Sequence, residues 1–242
     1  MRSAALCPLL LCVSASPCWG AKELGRLLVD LNHDGKAEVV RLDSAPSKES
    51  YRAELRISVG RSAYKTSYFA ADGDRPDLQV VQLNRSSGLT GLVLTTDEAG
   101  GCVRHLLSYV DSTLHLLLKH DAGPSCYSLV TYGDLRFSVS TWEGFWTKTE
   151  MYRATPDGKS VGRVPQTEYS VQATGYAGIG LELQGATCGS KLVAPGAYLT
   201  VMKFEVNDSR YLLQTPDGAC GWIPSSEFTT DSPKIKGLPW AG

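Results

Sequence analysis

The sequence predicts an all-β protein: a larger β-domain, propeller-like or sandwich in type, followed by a small β-barrel. Residues 51–59 and 135–141 alternate apolar and polar side chains without a break, which is the period of a half-buried strand. Shorter apolar runs recur along the chain and are separated by turn-forming sequences such as NRSSG and HDAGPS. No amphipathic helical pattern extends beyond two turns.

The composition excludes several functional classes. The chain has 24 Lys and Arg against 25 Asp and Glu, a net charge of −1, so it lacks the basic excess of a nucleic-acid-binding protein. With 43% hydrophobic and 20% charged residues, it also differs from a disordered chain. The composition therefore indicates folded domains and no nucleic-acid partner.

Residues 1–20 have the pattern of a secretory signal peptide. Arg2 precedes an apolar run at residues 4–13, and cleavage after Gly20 would place the small residues Cys18 and Gly20 at positions −3 and −1. The run is shorter than the roughly 20 residues that a membrane-spanning helix needs, and no later segment reaches that length. We therefore expect a periplasmic or secreted protein that is cleaved after Gly20, with cleavage after Ala15 as the alternative.

The seven cysteines divide between the signal segment and the mature chain. Four cysteines in an exported chain predict two disulfides, for which three pairings exist. We favour one pair in each predicted domain. After cleavage at Gly20 these pairs are Cys102–Cys126 and Cys188–Cys220, whereas cleavage at Ala15 would also keep Cys18.

A change in composition around residues 158–165 indicates a domain boundary, because this segment has Gly and Pro but few apolar residues. We therefore expect a β-domain over residues 21–160, a small unit over 165–230 and a tail over 231–242. Small exported domains often need a covalent staple, which Cys188–Cys220 would supply.

An acidic loop between two predicted strands is the most specific chemical signal. Residues 30–38 read DLNHDGKAE, with oxygen donors at alternate positions, and Gly35 permits a sharp turn. Calcium takes six to eight oxygen ligands, so the pattern predicts a structural calcium site, with an acidic turn without metal as the alternative. The predicted ligands are Asp30, Asn32, Asp34, the carbonyl of Lys36, and Glu38. We expect a second acidic segment, residues 72–77, to be a plain loop.

The sequence VDLNHDGKAEVV resembles the calcium loops of FG-GAP and VCBS-type repeats, which occur in β-propeller and adhesin-like exported proteins. Glu38 stands where Asp is common in those repeats. The resemblance covers one repeat, and residues 21–160 are too few for a complete propeller, so it implies a compact fold with propeller-like blades. In size, disulfide use and β content the chain is also similar to small periplasmic lysozyme inhibitors.

The C-terminal region resembles a bacterial Src-homology-3-like (SH3-like) domain. The resemblance rests on residues 192–202 and 211–228, in which Gly-Trp-Ile-Pro precedes a short polar turn and an aromatic residue. It implies a small β-barrel that binds cell-wall peptides or packs on a partner domain. For Trp222 itself we expect a position in the core. Residues 168–189 depart from the family pattern in a segment that often shapes the ligand cleft. Three tyrosines could line a groove, although we expect each to be structural: Tyr176, Tyr198 and Tyr211.

No residue set predicts an enzyme. The sequence lacks Cys-x-x-Cys and HExxH motifs, and the four mature cysteines all have predicted bridge partners. His115 and His120 are an odd number of residues apart and would face opposite sides of a straight strand. The enzymatic alternative is a cell-wall or glycan hydrolase that uses Glu143, or His105 with His115. A sugar site over residues 142–150, with carboxylates beside tryptophans, is a weaker alternative.

These observations favour a non-catalytic exported envelope protein that binds peptidoglycan or a protein that acts on the cell wall. Within the same class, the alternative is a periplasmic immunity or inhibitor protein directed against a peptidoglycan hydrolase. Outside it, the alternatives are the hydrolase described above and a structural adhesin fragment.

Overall fold

The computed structural model describes residues 21–49, 51–70, 76–98, 101–123, 126, 128–183, 188 and 191–240. Within these ranges the chain is built of antiparallel strands, and its one helical element is a 3₁₀ turn, η1 (Ser225–Glu227). The predicted all-β class is confirmed.

Three four-stranded antiparallel sheets follow one another along the N-terminal unit. The first sheet comprises β1 (Lys22–Val29), β2 (Glu38–Pro46), β3 (Arg52–Val59) and β4 (Ser62–Phe69). The second sheet comprises β5 (Asp77–Asn84), β6 (Leu89–Glu98), β7 (Gly101–Val110) and β8 (Thr113–Asp121). The third sheet comprises β9 (Leu129–Thr131), β10 (Arg136–Trp142), β11 (Thr147–Ala154) and β12 (Val161–Arg163). Within each sheet the strands lie in chain order, and four strands is also the size of a propeller blade.

The second sheet is the centre of this unit because both of its faces are buried. One face packs on the first sheet through a core that includes Ile57, Leu94 and Leu107. The other packs on the third sheet through a core that includes Leu106 and Phe137. Strands buried on both faces read as continuous apolar runs, which explains the sequences of β6 and β7. Strand β3, which has one exposed face, alternates instead.

The C-terminal unit is a half-barrel. Its strands are β13 (Glu168–Ala177), β14 (Leu181–Leu183), β15 (Lys191–Val193), β16 (Tyr198–Glu205), β17 (Arg210–Gln214), β18 (Cys220–Pro224) and β19 (Ile235–Lys236). Five of them form one sheet in the order β18-β17-β16-β13-β19, and β14 pairs with β15. The segment expected to be a tail thus contributes a strand, and its Leu238 is buried in the core of this unit.

A turn of the third sheet enters the core of the C-terminal half-barrel. Phe145 and Trp146, between β10 and β11, are 2% and 4% exposed and belong to the same buried cluster as Tyr211 and Phe228. The ring of Phe145 stacks on Phe228 with centroids 5.6 Å apart, and Trp146 Nε1–H donates to Tyr211 Oη at 3.2 Å. Trp240 packs edge-on against Phe145. The two predicted domains therefore share one core.

We expect Trp146→Ala to lower the free energy of unfolding by about 3–5 kcal/mol, because it removes a large ring and a hydrogen bond from this shared core. Urea unfolding followed by circular dichroism measures the change. Tyr51→Ala is the matched control, since the Tyr51 ring is 53% exposed, and it should cost less than about 1 kcal/mol. A loss for Trp146→Ala no larger than that of the control would contradict the shared core.

Candidate functional site

The acidic loop between β1 and β2 folds around its own side chains. The Asp30 carboxylate accepts hydrogen bonds from the backbone N–H groups of Asp34 at 3.2 Å and Gly35 at 2.9 Å. Glu38 accepts one from the N–H of Leu31 at 2.7 Å. Gly35 has a φ of +83°, a left-handed conformation that glycine adopts without steric cost. The carboxylates predicted as metal ligands therefore contact the backbone of their own loop.

The other predicted ligands join this network. Asn32 Oδ1 accepts from the N–H of Asp34 at 3.1 Å, and Asp34 Oδ1 accepts from the N–H of Lys36 at 2.8 Å. The donor set consists of oxygens, which calcium prefers. Among the residues that the structure describes, no group of three or more His, Cys, Asp or Glu side chains is arranged to hold a metal ion. The loop's carboxylates are engaged by backbone amides instead.

Two side chains anchor the acidic loop to the second sheet. Leu31 is fully buried in the core between the first and second sheets. His33 Nε2 lies 3.3 Å from Thr90 Oγ1, and its ring lies so close to Gly88 that a Cβ there would be 2.6 Å away. The position of the loop is therefore tied to the contact between the two sheets. The second acidic segment, residues 72–77, lies outside the described residues up to position 75.

The last four cysteines of the chain stand in the two predicted pairs. Cys102 in β7 is bonded to Cys126, with a Cα–Cα distance of 5.3 Å, and Cys188 is bonded to Cys220 in β18, with 5.5 Å. Both distances lie within the range of protein disulfides. The first bond joins the second sheet to the connection that leads into the third sheet, and the second bond lies within the half-barrel.

His105 is buried between the first and second sheets. It is 1% exposed, and its Nδ1 lies 2.8 Å from Tyr64 Oη. Burial, together with the nearby ammonium group of Lys119, lowers the pKa of His105 to about 4. The ring is therefore neutral at neutral pH and packs as part of the interface between the sheets.

His115 and His120 were expected on opposite sides of a straight strand, and this prediction is wrong because β8 contains a bulge. Leu106 pairs with Leu118 and Leu107 pairs with Leu116, so Leu117 is an extra residue. The cross-strand partners of the two histidines in β7 are consequently an even number of residues apart, and both histidines share one face of the second sheet. That face packs on the third sheet, where His120 Nε2 lies 3.1 Å from the carbonyl oxygen of Ser140. His105 is on the opposite face, so it does not meet His115.

The two carboxylates of the predicted sugar site over residues 142–150, of which Glu143 is also the hydrolase candidate, are paired with cations. Glu143 lies 3.4 Å from the Lys148 ammonium, and Glu150 lies 3.1 Å from Lys148 and 2.7 Å from the Arg163 guanidinium. Burial alone would raise the pKa of Glu150. The hydrogen bonds and charges of Lys148, Tyr152 and Arg163 outweigh burial, so the pKa of Glu150 is lowered. A general acid needs a raised pKa, which Glu150 lacks.

A cleft of about 330 Å³ lies on the outer face of the half-barrel, a volume within the range of ligand sites. Met202 and Leu212 supply its apolar lining, and Ser170, Gln172 and Gln214 supply polar groups. The disulfide between the last two cysteines of the chain also borders it. This cleft brings together side chains from β13, β16 and β17 that the sequence alone did not group.

Two β-bulges shape the cleft. Between Ser170 and Ala173 of β13, two residues face one residue of β16, and Met202 is an extra residue of β16 opposite β17. Gln172, in the first bulge, has a φ of +56°, a strained conformation for a residue that is not glycine. Bulges redirect side chains and interrupt strand pairing, and they are frequent next to functional sites. A strained residue that lines a cleft is therefore a candidate binding residue.

A pair of exposed tyrosines continues this outer face. Tyr176 and Tyr198 are direct cross-strand partners in β13 and β16, so their rings lie on the same face, and they are 40% and 73% exposed. In the adjacent row of the ladder, Thr174 and Thr200 lie between the tyrosines and the cleft, and Gln214 lines the cleft. Tyr211 is buried in the core of the half-barrel, as expected of a structural residue, whereas Tyr176 and Tyr198 are exposed.

Trp222 also lies on the outer face, not in the core as expected. It is the cross-strand partner of the cleft residue Leu212, and it is half-buried. The alternation of β18 directs its neighbour Ile223 inward instead. The Arg210 guanidinium lies 4.5 Å from the centroid of the Trp222 ring and covers part of it.

No protein-family model, curated protein or solved structure matches the chain. The resemblances to FG-GAP repeats and to Src-homology-3-like domains therefore stay predictions that rest on the residues quoted above.

We expect His105 to make stability depend on pH. Its folded-state pKa of about 4 is below the ordinary value of 6.5, so the unfolded state binds the proton more readily between these values. The stabilising contribution is therefore complete above about pH 6.5 and is lost as the pH falls towards 4. Urea midpoints across this range should fall with pH in the wild type and less steeply in His105→Phe. Leu28→Ala, which changes an exposed side chain that carries no titratable group, should keep the wild-type slope. An unchanged slope in His105→Phe would rule out this assignment.

Proposed function

We propose that the protein is a non-catalytic exported envelope protein whose C-terminal half-barrel binds peptidoglycan or a protein that acts on it. The observation that carries the proposal is the outward-facing cleft with the exposed pair Tyr176 and Tyr198 beside it. Two disulfides support an oxidising location such as the periplasm or the exterior. Throughout the described part of the chain, no helix is long and apolar enough to cross a membrane.

The chemistry of the cleft suits a cell-wall polymer. Peptidoglycan presents sugar rings, each with an apolar C–H face and a polar edge, and short peptides that link them. A tyrosine ring offers an apolar face together with a polar hydroxyl, and a glutamine amide both donates and accepts hydrogen bonds. A surface that combines these groups supports binding, and it requires no catalytic residue.

Co-sedimentation with insoluble peptidoglycan tests this proposal. We expect the mature, oxidised protein to sediment with the polymer, and Tyr198→Ala to sediment several-fold less, because the substitution removes the most exposed aromatic ring of the site. Tyr51→Ala, which changes an exposed tyrosine just before β3, should sediment like the wild type.

Two results would contradict the proposal. One is a protein that neither sediments with peptidoglycan nor changes the rate at which a peptidoglycan hydrolase digests it. The other is release of soluble fragments from labelled peptidoglycan that Glu143→Gln abolishes, since this result would support the hydrolase alternative.

We also propose that the acidic loop binds calcium as a structural ion. The support is the oxygen-only donor set of the loop, in which Asp30, Asp34 and Glu38 carry negative charges close together in sequence. A bound cation would offset the repulsion between these carboxylates. Because Leu31 and His33 join the loop to the second sheet, the stabilisation would extend to the contact between the first two sheets.

Thermal unfolding with saturating calcium and with chelator tests the calcium proposal. We expect calcium to raise the Tm by about 5 °C or more, as a ligand that binds only the folded state does. Asp34→Ala should lose the shift. Asp43→Ala, which removes a carboxylate outside the loop, should keep it. Equal Tm values with calcium and with chelator in the wild type would show that the loop binds no structural calcium.

A further inference from the structure

We propose that the cleft of the half-barrel recognises the glycan strand of peptidoglycan, a chain of N-acetylated sugar rings, and not the stem peptide. This inference rests on the proposed wall-binding function and names the ligand of that site. Three features of the outer face support it: the pairing of its charged groups, its length along β13, and the fixed backbone conformation of Gln172.

The charged groups of the cleft are paired with each other. Of the described residues that line it, Glu168 and Lys203 are the charged ones, and Lys203 Nζ lies 2.6 Å from Glu168 Oε2. A stem peptide carries free carboxylates and an amino group, which require unpaired charges of opposite sign for recognition. The remaining polar groups of the cleft are amides and hydroxyls, and these complement the hydroxyls and N-acetyl groups of a sugar.

The site is elongated along β13. From Gln172 to Tyr176 the outer face extends over about 13 Å, given the rise of an extended strand. Ordered along this line are the apolar Met202 beside Gln172, then the row of Thr174, and then the tyrosine pair. This length accommodates more than one sugar ring, with one ring stacked on an exposed tyrosine and an acetyl group directed at the apolar part of the cleft.

The backbone holds Gln172 in its place before any ligand arrives. Its left-handed φ and its position in a bulge are fixed by the pairing of β13 with β16 on both sides. A non-glycine residue in this conformation is strained, and such strain persists where surrounding structure determines it and often serves binding. The backbone thus fixes the direction in which the Gln172 side chain leaves the strand, which lowers part of the ordering cost of binding. We therefore assign to Gln172 a direct hydrogen bond to the glycan.

Two variants each remove one proposed binding group and should have little effect on the stability of the fold. Tyr198→Ala removes a ring that is 73% exposed. Gln172→Gly removes the amide and also relieves the positive φ, so the Tm should be unchanged or higher. Tyr51→Ala is the control for loss of an exposed tyrosine elsewhere.

Isothermal titration of the mature protein with two probes tests the inference. The first probe is the β-1,4-linked tetramer of N-acetylglucosamine, and the second is a synthetic stem pentapeptide. We expect the tetrasaccharide to bind and the peptide not to bind. Tyr198→Ala and Gln172→Gly should each weaken saccharide binding by about 3- to 10-fold, and Tyr51→Ala should leave it unchanged.

Each contrary result identifies which statement fails. Sedimentation with peptidoglycan without saccharide binding, whether or not the peptide binds, overturns the glycan inference and leaves the wall-binding proposal standing. Saccharide binding that both cleft variants leave unchanged overturns the assignment of the cleft. Absence of both sedimentation and probe binding overturns the wall-binding proposal together with the inference.

Discussion

The insertion of Phe145 and Trp146 into the half-barrel is the contact on which the rest of the structure depends. A β-unit of this size buries too little apolar surface to be stable by a wide margin on its own. The aromatic turn of the third sheet completes its core, and Trp240 packs edge-on against Phe145 of that turn. The contact fixes the orientation of the barrel sheet. Its inner face is filled by the chain itself, and its outer face, with the cleft and the tyrosine pair, is presented to solvent.

The alternation of apolar and polar residues in the sequence predicted the strands that it occurs in, because this alternation depends only on neighbouring residues. The alternation in residues 51–59 predicted strand β3, which has one buried face. The same period in residues 135–141 predicted strand β10, although Ser138 and Ser140 on its polar face are also buried. The all-β class followed from the same signal and from the turn sequences. The same patterns did not predict which sheet each side chain packs against. Phe145 and Trp146 follow a strand pattern in sequence, and nothing in their neighbours indicates that they leave their own sheet for another core.

The bulges explain most of what the sequence analysis missed at the site. A bulge arises from the pairing of two strands, so it cannot be predicted from the sequence of either strand alone. One bulge at Leu117 moves His115 and His120 onto the same face, and two others at Gln172 and Met202 open the cleft. The positive φ of Gln172 left no signal in sequence, since glycine is the residue that normally marks such a position. The acidic loop differs, because its ligand pattern is contiguous and could be proposed from residues 30–38 alone.

Native-state hydrogen exchange tests the central claim, that the two units form one body through a shared core, most directly. Amides of β13 and β16 in the half-barrel should exchange with the same opening free energy and the same denaturant dependence as amides of β6 and β7 in the second sheet. This result would place both units in one cooperative opening. Exchange of the half-barrel amides through a separate opening of lower free energy, while the second sheet stays protected, would contradict the account.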